Sequence, residues 1–137
     1  MPQQLNIVTA DRTVLTEEVD MVIAPGAAGE LGILPHHAPL LTTLKPGEMR
    51  VLRNGEWDYL AVAGGFMQVD QRGVTILADA AERVEEIDEA RAEEARRRAV
   101  SELEAAADDV MARAEAQAAL LRAIARISVA ERRRRRQ

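Results

Sequence analysis

The chain has no cysteine, and its 137 residues carry one Trp, one Tyr and one Phe. The first absence excludes a disulfide framework and thiolate metal sites, and fits a reducing compartment. The scarcity of rings removes the stacking platforms on which single-stranded nucleic acids are held. No uninterrupted apolar run approaches the roughly 20 residues of a membrane span, and Met1-Pro-Gln-Gln lacks the basic and apolar regions of a signal peptide. The chain is therefore expected on the cytoplasmic side. Glycine and proline are missing from one half only, since none follows Gly73, and no aromatic residue follows Phe66.

What is present divides accordingly. Before about residue 79 the hydrophobic period is two residues, and after it about three and a half. Leu5–Thr9 and Glu18–Ile23 alternate as half-buried strands, the second ended by Pro25-Gly26. The segments 29–35 and 39–44 predict short apolar strands broken by Pro35 and Pro39. Residues 48–53 and 56–63 are joined by Asn54-Gly55, a strong two-residue hairpin signal. Gly64-Gly65 predicts a bulge or close backbone approach before strands at 66–70 and 74–77. So many short strands in about 80 residues predict a small antiparallel β-sandwich or flattened barrel. The three aromatics, Trp57, Tyr59 and Phe66, all fall in this half, so the independent apolar core is expected there.

Residues 88–131, rich in Ala, Glu and Arg, predict an α-helical hairpin turning at Asp108-Asp109, with one long bent helix as the alternative. Its seams read as Ala92, Ala95, Ala99, Leu103, Ala106 and Val110 on the first helix, and Met111, Ala114, Ala118, Leu121, Ala125 and Ser128 on the second. The fold class is thus α+β, with a sandwich over residues 1–83 and a helical domain over 84–137. Alanine seams bury little apolar area, so the hairpin has to lean on the sandwich or on a partner. Such a surface suits either a static hairpin or a two-state element.

Charge is unevenly spread within the formal net of -5. Residues 1–81 hold 10 acidic and 5 basic side chains, residues 82–115 hold 12 and 6, and residues 116–137 hold 1 and 7. The last segment therefore calls for an acidic surface, on this chain or another, in preference to nucleic acid.

The run Gly29-Glu-Leu-Gly-Ile-Leu-Pro-His-His-Ala-Pro-Leu-Leu-Thr-Thr-Leu-Lys-Pro-Gly47, followed by Ala63-Gly-Gly-Phe66, Val74-Thr-Ile-Leu77, Ala80-Ala-Glu82 and the ending Arg126-Ile-Ser-Val-Ala-Glu131, resembles the epsilon subunit of bacterial F-type ATP synthase nearly end to end. The resemblance implies a non-catalytic central-stalk subunit that turns with the gamma subunit and the c-ring while proton flow drives ATP synthesis. It implies a peripheral protein at the cytoplasmic face of the inner membrane, requiring no cofactor. The helical domain would fold against the sandwich or extend toward the catalytic beta and alpha subunits, where Arg122, Arg126 and Arg132 to Arg136 would meet acidic loops. Glu30 and His37 would touch the c-ring. His36 stands where the family usually has a small residue, and the terminal Arg run exceeds the usual ending.

Ile87-Asp88-x-x-Arg91-Ala92 resembles a motif with which some family members bind ATP as an effector. By matching position, Glu82, Ile87, Asp88, Arg91, Ala92, Arg98, Arg122 and Arg126 would form that site. Arginines suit phosphate oxygens, and a carboxylate suits ribose or adenine donors. The competing reading makes Asp88 the N-cap of a helix beginning at Glu89, with Arg91 solvated. No Walker-type phosphate loop is present. The adjacent His36 and His37 lack a third ligand for a metal, and Asp108-Asp109 reads as a cap, not as an acid and base. A free-standing nucleotide-sensing adaptor is the alternative function. An enzyme would require a nucleophile with its base, a metal site or a cofactor fingerprint, and no such motif is read here.

Overall fold

The computed structural model describes residues 2–135, with side chains as far as Arg132. Met1, Arg136 and the side chains of Arg133 to Arg135, to which the signal-peptide and basic-tail readings refer, lie outside the described residues. Ten strands precede two helices: β1 Gln3–Val8, β2 Thr13–Val19, β3 Met21–Gly26, β4 Gly29–Ile33, β5 Leu40–Leu44, β6 Gly47–Arg53, β7 Glu56–Val62, β8 Gly65–Asp70, β9 Gly73–Ala78, β10 Ala81–Arg83, then α1 Glu89–Ala106 and α2 Val110–Arg135. A single 3-10 turn, Val84–Glu86, joins β10 to the helical part.

The strands hydrogen-bond in the order β10-β7-β6-β3-β5-β8-β9-β1-β2, with β4 on the side of β3. β3 and β5 meet at a single pair, Gly26 with Leu44, and there the sheet folds into two layers. Their facing side chains make the core, in which Leu5, Ile7, Val22, Ile33, Met49, Met67 and Ile76 are fully buried. The core is aliphatic and sulfur-containing throughout. The core lies in the β half as expected, but no aromatic belongs to it: Phe66 is 54% exposed on the outer face, and Trp57 and Tyr59 are only half buried.

Three departures from the strand reading have local causes. Glu18–Ile23 is not one strand; it spans the end of β2 and the start of β3, bent at Asp20, whose N–H donates to the Leu52 carbonyl. β10 forms at the joint because Ala81, Glu82 and Arg83 extend the sheet antiparallel to β7. One ladder is parallel, β1 against β9. It explains Gly73, where a Cβ would collide with the Gln4 backbone running alongside. Asn54 and Gly55, with φ of 52° and 80°, make the tight hairpin turn their sequence calls for.

Asp88 caps α1, its carboxylate accepting from the Arg91 N–H at 3.1 Å. Asp109 likewise accepts from the Ala112 N–H at 3.1 Å at the start of α2, after a turn in which Ala107 has φ 48°. On α1 the seam holds in part, with Ala92 and Ala99 buried; Val110, read as its last member, is exposed and opens α2 instead. On α2 the expected seam is mostly wrong. Met111 and Leu121 face outward, and the buried positions are Ala116, Ala123, Ala125, Val129 and Ala130. Alanines occur all round α2, so its period had no unique apolar face to report.

Candidate functional site

α2 is the helix that lies on the sheet, across β6 and β7, and α1 packs on α2. The contact has an apolar centre and a charged contact at each end. Val129 and Ala130 of α2 pack with Ala61, Val84 and Ile87, beside half-buried Tyr59. Glu48, Ala61 and Glu82 are register partners on β6, β7 and β10, so they form one row across the outer face. Arg132 donates from Nε and Nη2 to the two oxygens of Glu48, each at 3.1 Å, and its guanidinium lies 4.8 Å from the centre of the Tyr59 ring. Arg126 Nε donates to Glu82 at 3.1 Å at the other end of the row. The Glu48 hydrogen bond raises the Arg132 pKa above the ordinary guanidinium range, against a smaller effect of burial. The acidic surface that the basic segment calls for is therefore found, for these two arginines, on the chain's own sheet.

Because α1 rests on α2 and stands clear of the sheet, a cleft of about 410 Å³ opens between the two helices and the β7–β10 edge. Its walls are mainly alanine, from Ala61, Ala63, Ala80 and Ala81 on the sandwich and Ala95, Ala99, Ala119 and Ala123 on the hairpin. Small side chains leave the space that larger ones would fill. The charged groups on it are Glu82, Arg98, Glu102, Arg122 and Arg126. Arg126 is tied to Glu82, while Arg98 and Arg122 are exposed and make no ion pair among the described residues. Such a volume lies in the usual range for a small-molecule site.

Of the eight residues matched to the nucleotide motif, the cleft brings together Glu82, Arg98, Arg122 and Arg126. Ile87 and Ala92 are buried in packing, Asp88 is engaged as the cap, and the exposed Arg91 stands off the cleft wall. Sequence reasoning missed Glu102 and the alanine walls. It also missed Glu48 and Tyr59, whose role depends on a register across three strands. Glu30, the second residue of β4, accepts from Arg50 near the β3–β4 turn, while His37 lies in the loop beyond the strand's other end.

The opposite layer shows a second surface. Phe66 pairs with Leu77 across β8 and β9, and Leu77 with Val8 across β9 and β1. With Leu41 71%, Phe66 54% and Leu77 55% exposed, the outer face there is apolar and open. Among the described residues no group of three His, Asp or Glu is placed to hold a metal, and no helix is long and apolar enough to cross a membrane.

Comparison with known proteins finds two family models and several relatives. A family model described as the beta-sandwich domain of the ATP synthase Delta/Epsilon chain matches residues 3–84, and one described as the long alpha-helix domain of that chain matches residues 85–131. The ATP synthase epsilon chain of Herpetosiphon aurantiacus is 54% identical over 138 residues, covering 100% of both chains. That of Dehalococcoides mccartyi is 51% identical over 131 residues, 96% of this chain and 94% of its own. Among solved structures, a chain of the Euglena gracilis mitochondrial ATP synthase superposes with a TM-score of 0.76 at 28% identity, over 88% of this chain and 76% of that one.

Proposed function

The chain belongs to the ATP synthase delta/epsilon-chain family, as a non-catalytic epsilon-type subunit of the central stalk, and from that premise we propose that its hairpin is a mobile regulatory element set by ATP. The observation that carries this reading is the alanine cleft, which two uncompensated arginines and one paired arginine border where hairpin and sandwich meet. Guanidinium groups match phosphate oxygens in geometry and charge. Arg98 and Arg122 receive the phosphates, Arg126 exchanges Glu82 for them, and the freed Glu82 accepts from ribose or base. A ligand held by α1, α2 and β10 together stabilises the docked hairpin by mass action. Without it, only a small apolar patch and two ion pairs oppose release, and the released helices extend toward the catalytic beta and alpha subunits to restrain ATP hydrolysis.

In the same reading, the sandwich transmits rotation. The exposed Leu41, Phe66, Leu77 face suits burial against the gamma subunit, since apolar patches of this kind mark interfaces. Glu30, projecting near the β3–β4 turn, is assigned to the c-ring. His37, in the loop beyond the other end of β4, is assigned to the same partner, as the resemblance implies. The protein is then peripheral to the membrane, at the cytoplasmic face, through the complex alone.

Calorimetric titration of the full chain with ATP tests the proposal. Saturable binding that Arg98→Ala, Arg122→Ala or Arg126→Ala each weakens by about tenfold or more, as expected for loss of a charge-assisted phosphate contact, supports it. Absence of heat up to millimolar nucleotide removes it and leaves a coupling subunit whose hairpin answers to something else.

A further inference from the structure

Among the described residues, one buried side-chain polar atom lacks a hydrogen-bond partner, the Nε of Arg50. It lies 3.8 Å from Glu48 Oε1. Arg132 Nη2 already donates to that oxygen at 3.1 Å. Arg50 instead donates from Nη2 to both oxygens of Glu30, at 3.0 and 2.9 Å. Glu48 and Arg50 are two residues apart on β6 and so project from the same face. The four side chains form one line from the end of α2 to the β3–β4 turn: Arg132, Glu48, Arg50, Glu30.

We propose that Glu48 is an exchangeable acceptor that couples hairpin docking to the β3–β4 turn. With Arg132 in place, Arg50 is directed to Glu30; with Arg132 withdrawn, Arg50 closes on Glu48 and lets Glu30 go. The direction follows from solvation. With α2 on the sheet, the Glu48 side chain is 15% exposed and that of Glu30 60%, so while the helix still covers Glu48, as in Arg132→Ala, a carboxylate deprived of its arginine is readily hydrated at Glu30 and poorly hydrated at Glu48. The exchange also gives the unpartnered Arg50 Nε an acceptor, and a buried donor without one is unfavourable. Loss of the Arg132 contact thus turns Glu30 from a neutralised, held carboxylate into a free anion. This rests on the mobile-hairpin reading for its use in the assembly, but the exchange itself requires only loss of the Arg132 contact.

The test is carboxyl-carbon NMR of Glu30 and Glu48 in the full chain, with a distance probe between sandwich and hairpin. Arg132→Ala is expected to move the Glu30 signal most of the way to the position it takes in Arg50→Gln, with no further movement in the double variant. In a Glu48→Gln background, Arg132→Ala is expected to leave Glu30 where it was. A Glu30 signal that stays at its wild-type position in Arg132→Ala, yet moves in Arg50→Gln, overturns the proposal. Failure of the mobile-hairpin reading looks different: ATP leaves the probe distance unchanged in the wild-type chain, whatever Glu30 does.

Discussion

Glu48 and Glu82 occupy one cross-strand row, two strands apart with Ala61 between them, and α2 meets the first with Arg132 and the second with Arg126. The spacings agree. Six helical residues rise about 9 Å, and two strand separations are about 9.6 Å. A helix lying across these strands can satisfy both glutamates only near this register, so the ion pairs set where α2 lands more than how tightly it holds.

Arg126→Ala and Arg132→Ala are each expected to weaken docking by about 0.5–1 kcal/mol, because the pairs are partly exposed, and together by roughly the sum, since they are well separated. Hydrogen exchange in α1 and α2, compared with exchange in β1 and β9, measures this. Faster exchange confined to the helices is the expected result. Since the Arg132 pKa is raised, its contribution is fully present below the unfolded value and fades only as pH rises through the still higher folded one. Titration of Arg132 therefore gives no pH dependence to docking near neutrality.

Ala123→Leu is expected to separate cleft from sandwich. Ala123 is 2% exposed between the helices and lines the cleft, and overpacking such a site costs about 1–3 kcal/mol. The expected outcome is loss of ATP heat and loosened helices, with the sandwich melting unchanged. Retained nucleotide binding in a folded Ala123→Leu chain would place the ligand elsewhere.

Two glycines are expected to respond differently to alanine. At Gly65, with φ 130°, a Cβ would overlap the Leu77 carbonyl, whereas at Gly55, with φ 80°, nothing lies within 4 Å. Gly55→Ala then carries only backbone strain, about 1 kcal/mol, while Gly65→Ala also forces β8 and β9 apart and costs more than about 2 kcal/mol. Urea unfolding of the two variants compares them directly.

Acid sensitivity has one identifiable source in the β1–β2 loop. Thr9 Oγ1 donates to Asp11 Oδ1 at 2.7 Å and, with Asp11's own backbone N–H and then Arg12, holds that carboxyl below its ordinary 3.8. A depressed folded value means the contribution is present above the unfolded pKa and is lost as pH falls through the folded one. Thr9→Val is expected to raise the Asp11 midpoint in an NMR titration and to flatten the acid limb of the stability curve. An unchanged midpoint would assign the shift to the backbone N–H and Arg12 instead.

How much was legible follows from how local each signal is. The Asn54-Gly55 turn, the Asp88 cap and the turn at Asp108-Asp109 depend on a few adjacent residues, and all are found where the sequence puts them. The parallel β1–β9 ladder joins residues nearly seventy positions apart, and Gly73, readable only as a turn, is needed because another strand passes it. α2 defeated the periodicity because alanine satisfies a buried and an exposed position equally well. The cleft was half legible: its arginines could be named, but its emptiness comes from which alanines face one another, and that is set by the packing of α1 on α2.

The alanine lining also governs what the chain would show to water if its helices left the sheet as proposed above. The surfaces that part are mostly single methyl groups, with Val84, Ile87 and Val129 the larger exceptions. Apolar exposure on opening is therefore small. A seam of leucine would have held the helices more firmly, but every opening would then have bared a sticky stripe prone to self-association. Built from alanine, a chain opened as proposed above would stay about as well dispersed as the closed one.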